Sequence, residues 1–103
     1  MGWDIKLVSI ELPSGTALGI RIGNPQNPEK PVIMVLLGKK GMLVCRNFDI
    51  NALEKREVAA ARVQGISSFE EMLNAPIESF TLQAKKLGVL EGMNGSDALS
   101  IFM

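Results

Sequence analysis

Residues 3–22 read WDIKLVSIELPSGTALGIRI, and this stretch decides the fold class. It contains two runs, 3–12 and 16–22, rich in β-branched and aliphatic residues and parted by Pro13-Ser14-Gly15, which predicts a β-hairpin. Downstream, residues 23–31 hold Gly23, Asn24, Pro25, Asn27, Pro28 and Pro31. Prolines deny backbone donors to a ladder, so this segment is expected to be a loop. A second pair of strands, 32–37 and 42–46, is expected to close around the turn residues Gly38-Lys39-Lys40-Gly41.

After Cys45 the period changes from two to three or four. Ile50, Leu53 and Val58 predict a short helix capped by Asp49 or Asn51; residues 58–64 either extend that helix or, with Gly65 and Ile66 following, form a fifth strand, and the strand is the favoured reading. Ser67 or Ser68 precedes Glu70 and Glu71 at capping-box spacing, which starts a short helix through Leu73. Pro76 fits a first helical turn, and Ile77, Phe80, Ala84 and Leu87 predict the clearest helix of the chain, ended by Gly88. A tight turn over 92–95 then leads, with Asn94 or Ser96 as cap, into a last helix over 97–102. Strands first and helices afterwards favour an α+β fold, a two-layer α/β sandwich whose mostly antiparallel sheet carries helices on one face.

At 103 residues the chain is expected to form one domain spanning 1–103. Its five aromatic residues (Trp3, Phe48, Phe69, Phe80 and Phe102) leave the core to aliphatic side chains and methionine, and they supply few stacking platforms for bases. Eleven basic groups balance eleven acidic ones, which gives no net pull toward nucleic acid or an anionic membrane. Residues 1–66 carry nine basic and six acidic groups while 67–103 carry two and five, a polarity that could order subunits around an interface. A single cysteine forms no internal disulfide, and the longest apolar run, 32–37, is far short of a membrane span. A cytoplasmic protein is expected.

Histidine is absent, which removes the usual proton shuttle and the commonest metal ligand; no metal and no cofactor are expected. Cys45, beside Arg46 and four residues before Asp49, is either a thiolate nucleophile or a small buried hydrophobe. Asp49 is either a general base or a helix cap. Arg62 interrupts an apolar segment and is either a surface ion-pair partner or a clamp for an anion or carboxylate. Asn94, Gly95 and Ser96 ahead of a helix could offer backbone N–H groups to an anion, although the turn holds no lysine. Lys39 and Lys40 at a hairpin tip read as solvated turn.

Several of these landmarks recur together. Gly41-Met42-Leu43-Val44-Cys45, Phe48-Asp49-Ile50, Arg62-Val63-Gln64-Gly65, Ala75-Pro76, Leu87-Gly88-Val89 and the run from Gly92 to Leu99 resemble, in order and spacing, the DUF1805 (YunC-like) family. The resemblance implies a compact two-layer α/β domain found in bacteria and archaea, and it supplies no substrate, reaction or catalytic set. It carries over positions only: Cys45, Asp49, Arg62, Gly65 and the 92–95 turn. Arg46 stands where the family pattern commonly has glycine.

Two kinds of function follow. One is a non-catalytic, self-associating module that binds a partner or a small anionic ligand, since two hairpins leave an edge strand and no catalytic set is visible. The other is a thiol-dependent enzyme or redox protein using Cys45 with Asp49 and Arg62, or an anion or nucleotide binder at the 92–96 turn. Whether the protein is an enzyme is left open by the sequence.

Overall fold

The computed structural model describes residues 2–103. Its first half is three long strands, β1 (Asp4–Leu12), β2 (Gly15–Asn24) and β3 (Asn27–Leu37), followed by the short β4 (Met42–Val44). The second half alternates α1 (Ile50–Lys55), β5 (Ala60–Arg62), α2 (Phe69–Asn74), β6 (Ser79–Phe80), α3 (Leu82–Leu87) and α4 (Gly95–Ile101). One six-stranded sheet runs in sequence order from β1 to β6. Every pairing is antiparallel except β4 with β5, which α1 connects as a crossover. The α+β architecture read from the strand-then-helix order is the one observed.

The expected loop over 23–31 is corrected. After the two-residue turn Pro25-Gln26, held by Asn24 Oδ1 accepting from the Gln26 N–H at 2.8 Å, β3 begins at Asn27 and contains Pro28 and Pro31. Two features accommodate them. The β2–β3 register shifts on both sides of Gly23, so Pro31 faces Gly23 at a bulge, and β4 pairs β3 only over Val35 to Leu37, leaving the proline-bearing half unpaired on that side. The next strand is also shorter than expected, ending at Val44, although Cys45 N–H still donates to Met34 O at 3.1 Å.

A second correction concerns the helix expected from Pro76. Only Leu82–Leu87 is helical; Ser79–Phe80 forms β6 and Pro76 bridges to Asn94. The backbone donors that a helix would use are already taken: Ile77 N–H by Met93 O at 3.0 Å, Glu78 N–H by Arg62 O at 2.8 Å and Thr81 N–H by Ala60 O at 2.9 Å. Tertiary pairing overrides the period here. Gly88 ends α3 in the left-handed conformation, as expected.

The strand registers divide the sheet into two faces. Ala17, Met34, Leu36, Leu43, Cys45 and Ala61 lie on one face and join Met72, Ala84, Ala98, Leu99 and Phe102 of the helical segments in the buried core. The opposite face carries Ile5 and Leu7 of β1, Leu18, Ile20 and Ile22 of β2, Ile33, Val35 and Leu37 of β3, then Met42, Val44, Ala60 and Arg62. Toward β4 and β5 this second face is closed, with Val35, Val44 and Ala60 buried, where α1 contacts β5. Over β1 to β3 it is open: Ile5 is 60% exposed, Leu7 65% and Leu18 43%. No helix of the described residues is long and apolar enough to cross a membrane.

Candidate functional site

Arg62 leaves β5 on the sheet face opposite the core and is fully engaged. Its Nε and Nη2 donate to the two carboxylate oxygens of Glu78 at 3.0 Å each, and Nη1 donates to Phe48 O at 2.8 Å. The Glu78 carboxylate also accepts from Ser79 Oγ at 2.6 Å. These donors, Arg62 first, hold Glu78 well below the usual carboxylate range, at about 2. The same pairing raises Arg62, helped by the charge of Asp49. A planar guanidinium with all three nitrogens committed fastens β6 to β5 and to the loop before α1.

This ion pair makes stability acid-sensitive. Because folding depresses Glu78 from an ordinary value of about 4.3, the contribution is fully present above about pH 4.5 and is lost as pH falls toward the folded value. With 36% of the Glu78 side chain exposed, salt screens the pair and the effect stays modest. Glu78→Gln is expected to flatten the fall in melting temperature between pH 4.5 and pH 2 that wild type shows. An unchanged slope would assign the acid sensitivity elsewhere.

Asp49 is the cap of α1: its Oδ1 accepts from the N–H groups of Asn51 at 2.9 Å and Ala52 at 3.3 Å. Cys45 is on the core face, 5% exposed, and its Sγ accepts from Met34 N–H at 3.4 Å. It touches a crevice of about 160 Å³ walled by Lys30, Arg46, Asn47 and Ile66, smaller than the ~300 Å³ at which small-molecule pockets begin. Since Cys45 and Arg62 project from opposite faces of the sheet, they do not share a site. Alkylation of Cys45 is accordingly expected to be slow in the native protein and to rise to the rate of an open thiol under denaturant; rapid native labelling would show a reactive thiol.

The 92–96 turn is committed as well. Asn94 Oδ1 accepts from Asp97 N–H at 2.9 Å, and Asp97 Oδ2 accepts from Asn94 N–H at 3.3 Å, a complete capping box. Gly95 N–H donates to Ala75 O at 2.9 Å, and Ser96 follows in the first turn of a seven-residue helix. The N–H groups of Asn94, Gly95 and Asp97 are therefore already bonded within the protein. Among the described residues no group of three or more metal-ligating side chains is gathered.

Two residues that the sequence reading passed over hold the structure together. Thr81, wholly buried, accepts at Oγ1 from Ala60 N–H at 3.0 Å and Ala84 N–H at 3.3 Å while donating to Val58 O at 2.6 Å. Arg21 donates to Ser67 O at 3.1 Å and Pro28 O at 3.2 Å and lies 3.7 Å from Asp4. A threonine directly ahead of Leu82 was a legible cap signal; the partners of Arg21 lie 46 and 7 residues away and left none.

The fold and its committed side chains define a small α+β domain in which the chemistry-bearing residues are dispersed. The chain belongs to the DUF1805 family: the family model described as a domain of unknown function matches residues 44–101. It is 32% identical over 74 residues to the uncharacterized protein YunC of Bacillus subtilis (strain 168), covering 68% of this chain and 73% of that protein. Its fold is also that of a crystal structure of a protein of unknown function from Thermoplasma acidophilum, with a TM-score of 0.87 and 20% identity over 100% of this chain and 97% of the other.

Proposed function

We propose that this protein is a non-catalytic module that works by self-association and by holding a partner. What carries the reading is a contrast between side chains. Cys45, Asp49, Arg62 and Asn94 each have a structural partner, whereas the apolar face of β1 to β3 has none among the described residues.

Magnitudes support the same reading. Fully covering a Leu or Ile side chain returns about 1.5–3 kcal/mol, so covering Ile5, Leu7 and Leu18 at their 60%, 65% and 43% exposure returns roughly 2.5–5 kcal/mol per copy. Two copies double this, with the half-buried Ile20, Ile22, Ile33 and Leu37 adding to it, which is of the order needed to offset the ~4–15 kcal/mol cost of association. Native mass spectrometry of the purified protein is expected to show an oligomer or a retained partner. A bare monomer at micromolar concentration would remove the proposal.

A further inference from the structure

The occupant of the open sheet face can be named from its shape and charge. We propose that a second copy of this chain docks there face to face, so that β1 to β3 of two protomers form an aligned two-sheet sandwich around a shared apolar layer. This rests on the self-association reading above and specifies its surface.

From Ile5 to Glu11 and across β1 to β3, strand rises of about 3.3 Å and spacings of about 4.8 Å give a face of roughly 20 by 14 Å, or ~280 Å² in projection. Trp3, 58% exposed and two residues before Ile5, lengthens it at one end. A patch of this size is at the scale that marks a functional surface on a monomer, about 300–600 Å². Two such faces give roughly 560 Å² in projection, and Trp3 with the relief of the side chains raises this toward the ~1,000 Å² of total burial that separates a specific interface from a chance contact.

In a two-fold interface the same patch meets itself, so a charge near its centre would meet its own like. The face has none there: Ile5, Leu7, Leu18, Ile20, Ile22, Ile33 and Leu37 form the centre, Ser9 adds a neutral hydroxyl, and Glu11 lies at one end bonded to Thr16 Oγ1 at 3.0 Å. Arg62, on the β5 side of the sheet in register with Val44 and Val35, is neutralised by Glu78. Lys6 and Arg21, the basic residues of β1 and β2, face each other across the strands on the opposite side, so a polyanion or an anionic membrane would find no cation among the β1 and β2 residues of this face.

Sheets pack aligned when each offers an apolar face at alternate positions, about 10 Å apart. Here the helices cover one face only over β1 to β3, and the second layer of a sandwich is missing from the protomer.

The test compares variants by light scattering and sedimentation. Wild type is expected to associate, and Leu7→Lys combined with Leu18→Lys to sediment as a folded monomer with an unchanged far-ultraviolet circular dichroism spectrum. Leu7→Ala, which places no charge on the face, is expected to raise the dissociation constant about tenfold and decides the matter if the double variant does not fold. Lys6→Glu, on the opposite face, is expected to leave association intact. Association that persists in the face variants, as edge-to-edge pairing through β1 would give, overturns this interface while leaving self-association standing. A monomeric wild type overturns both.

Discussion

Thr81→Val is expected to destabilise the fold by about 3 kcal/mol, a fall of roughly 15 °C in melting temperature for a domain of this length. The substitution keeps the side chain's shape, so packing changes little and the loss is polar. Three backbone groups lose their partner at once: the N–H of Ala60 at 3.0 Å, the N–H of Ala84 at 3.3 Å and the carbonyl of Val58 at 2.6 Å. Loss of the α3 cap alone costs about 1 kcal/mol. Stranding the N–H of wholly buried Ala60 adds about 1–3 kcal/mol, because no water reaches it. Thr81→Ser, which keeps the hydroxyl, is expected to lose about 1 kcal/mol. Thermal unfolding followed by circular dichroism measures both; a valine variant as stable as the serine one would remove Thr81 from its place as the clasp between β5 and α3.

Gly95→Ala is expected to be at least as damaging, by about 3 kcal/mol or more, for a steric reason. The backbone at this position is held by the N–H of Gly95 donating to Ala75 O at 2.9 Å, and a Cβ there would collide with the carbonyl oxygen of Met72 and come within 2.9 Å of Leu43 Cδ2. Both neighbours are core residues with no room to yield, and α4 would have to lift away from α2. Gly92 offers the internal comparison. Its φ of 90° strains any L-residue, but a Cβ there meets nothing within 4 Å, so Gly92→Ala is expected to cost only about 1–2 kcal/mol. Urea midpoints of the two variants measure the difference, and equal midpoints would contradict the close α2–α4 approach.

These two positions show where sequence and structure part company. Hairpins, the Asp49, Ser68 and Asn94 caps and the Gly88 stop were legible, because each depends on residues a few places apart. The prolines of β3 misled: a bulge at Gly23 and an unpaired side, both set by neighbouring strands, let Pro28 and Pro31 stand in a strand. The Ile77–Phe80 period misled for a related reason, since Arg62, Ala60 and Met93 claim the backbone of that segment from a distance. Among the candidate site residues, type and place offered the cap function of Asp49 and Asn94 beside an alternative for each, and the structure shows the caps. The dispersal of Cys45 and Arg62 to opposite faces required the β4–β5 register, which no local pattern encodes.

The open face had a sequence signal that passed without use. A half-buried strand alternates apolar with polar residues, yet β1 carries apolar residues at both parities, Ile5 and Leu7 on one face and Val8, Ile10 and Leu12 on the other. Such a strand wants cover on both sides, and the chain supplies it on one. The proposed self-association rests on that asymmetry.

Sedimentation velocity of the wild-type protein over a micromolar concentration series tests that link most directly. The expected result is a sedimentation coefficient that rises with concentration from the monomer value to that of an assembly, or an assembly throughout. A single species of monomer mass across the series would contradict it.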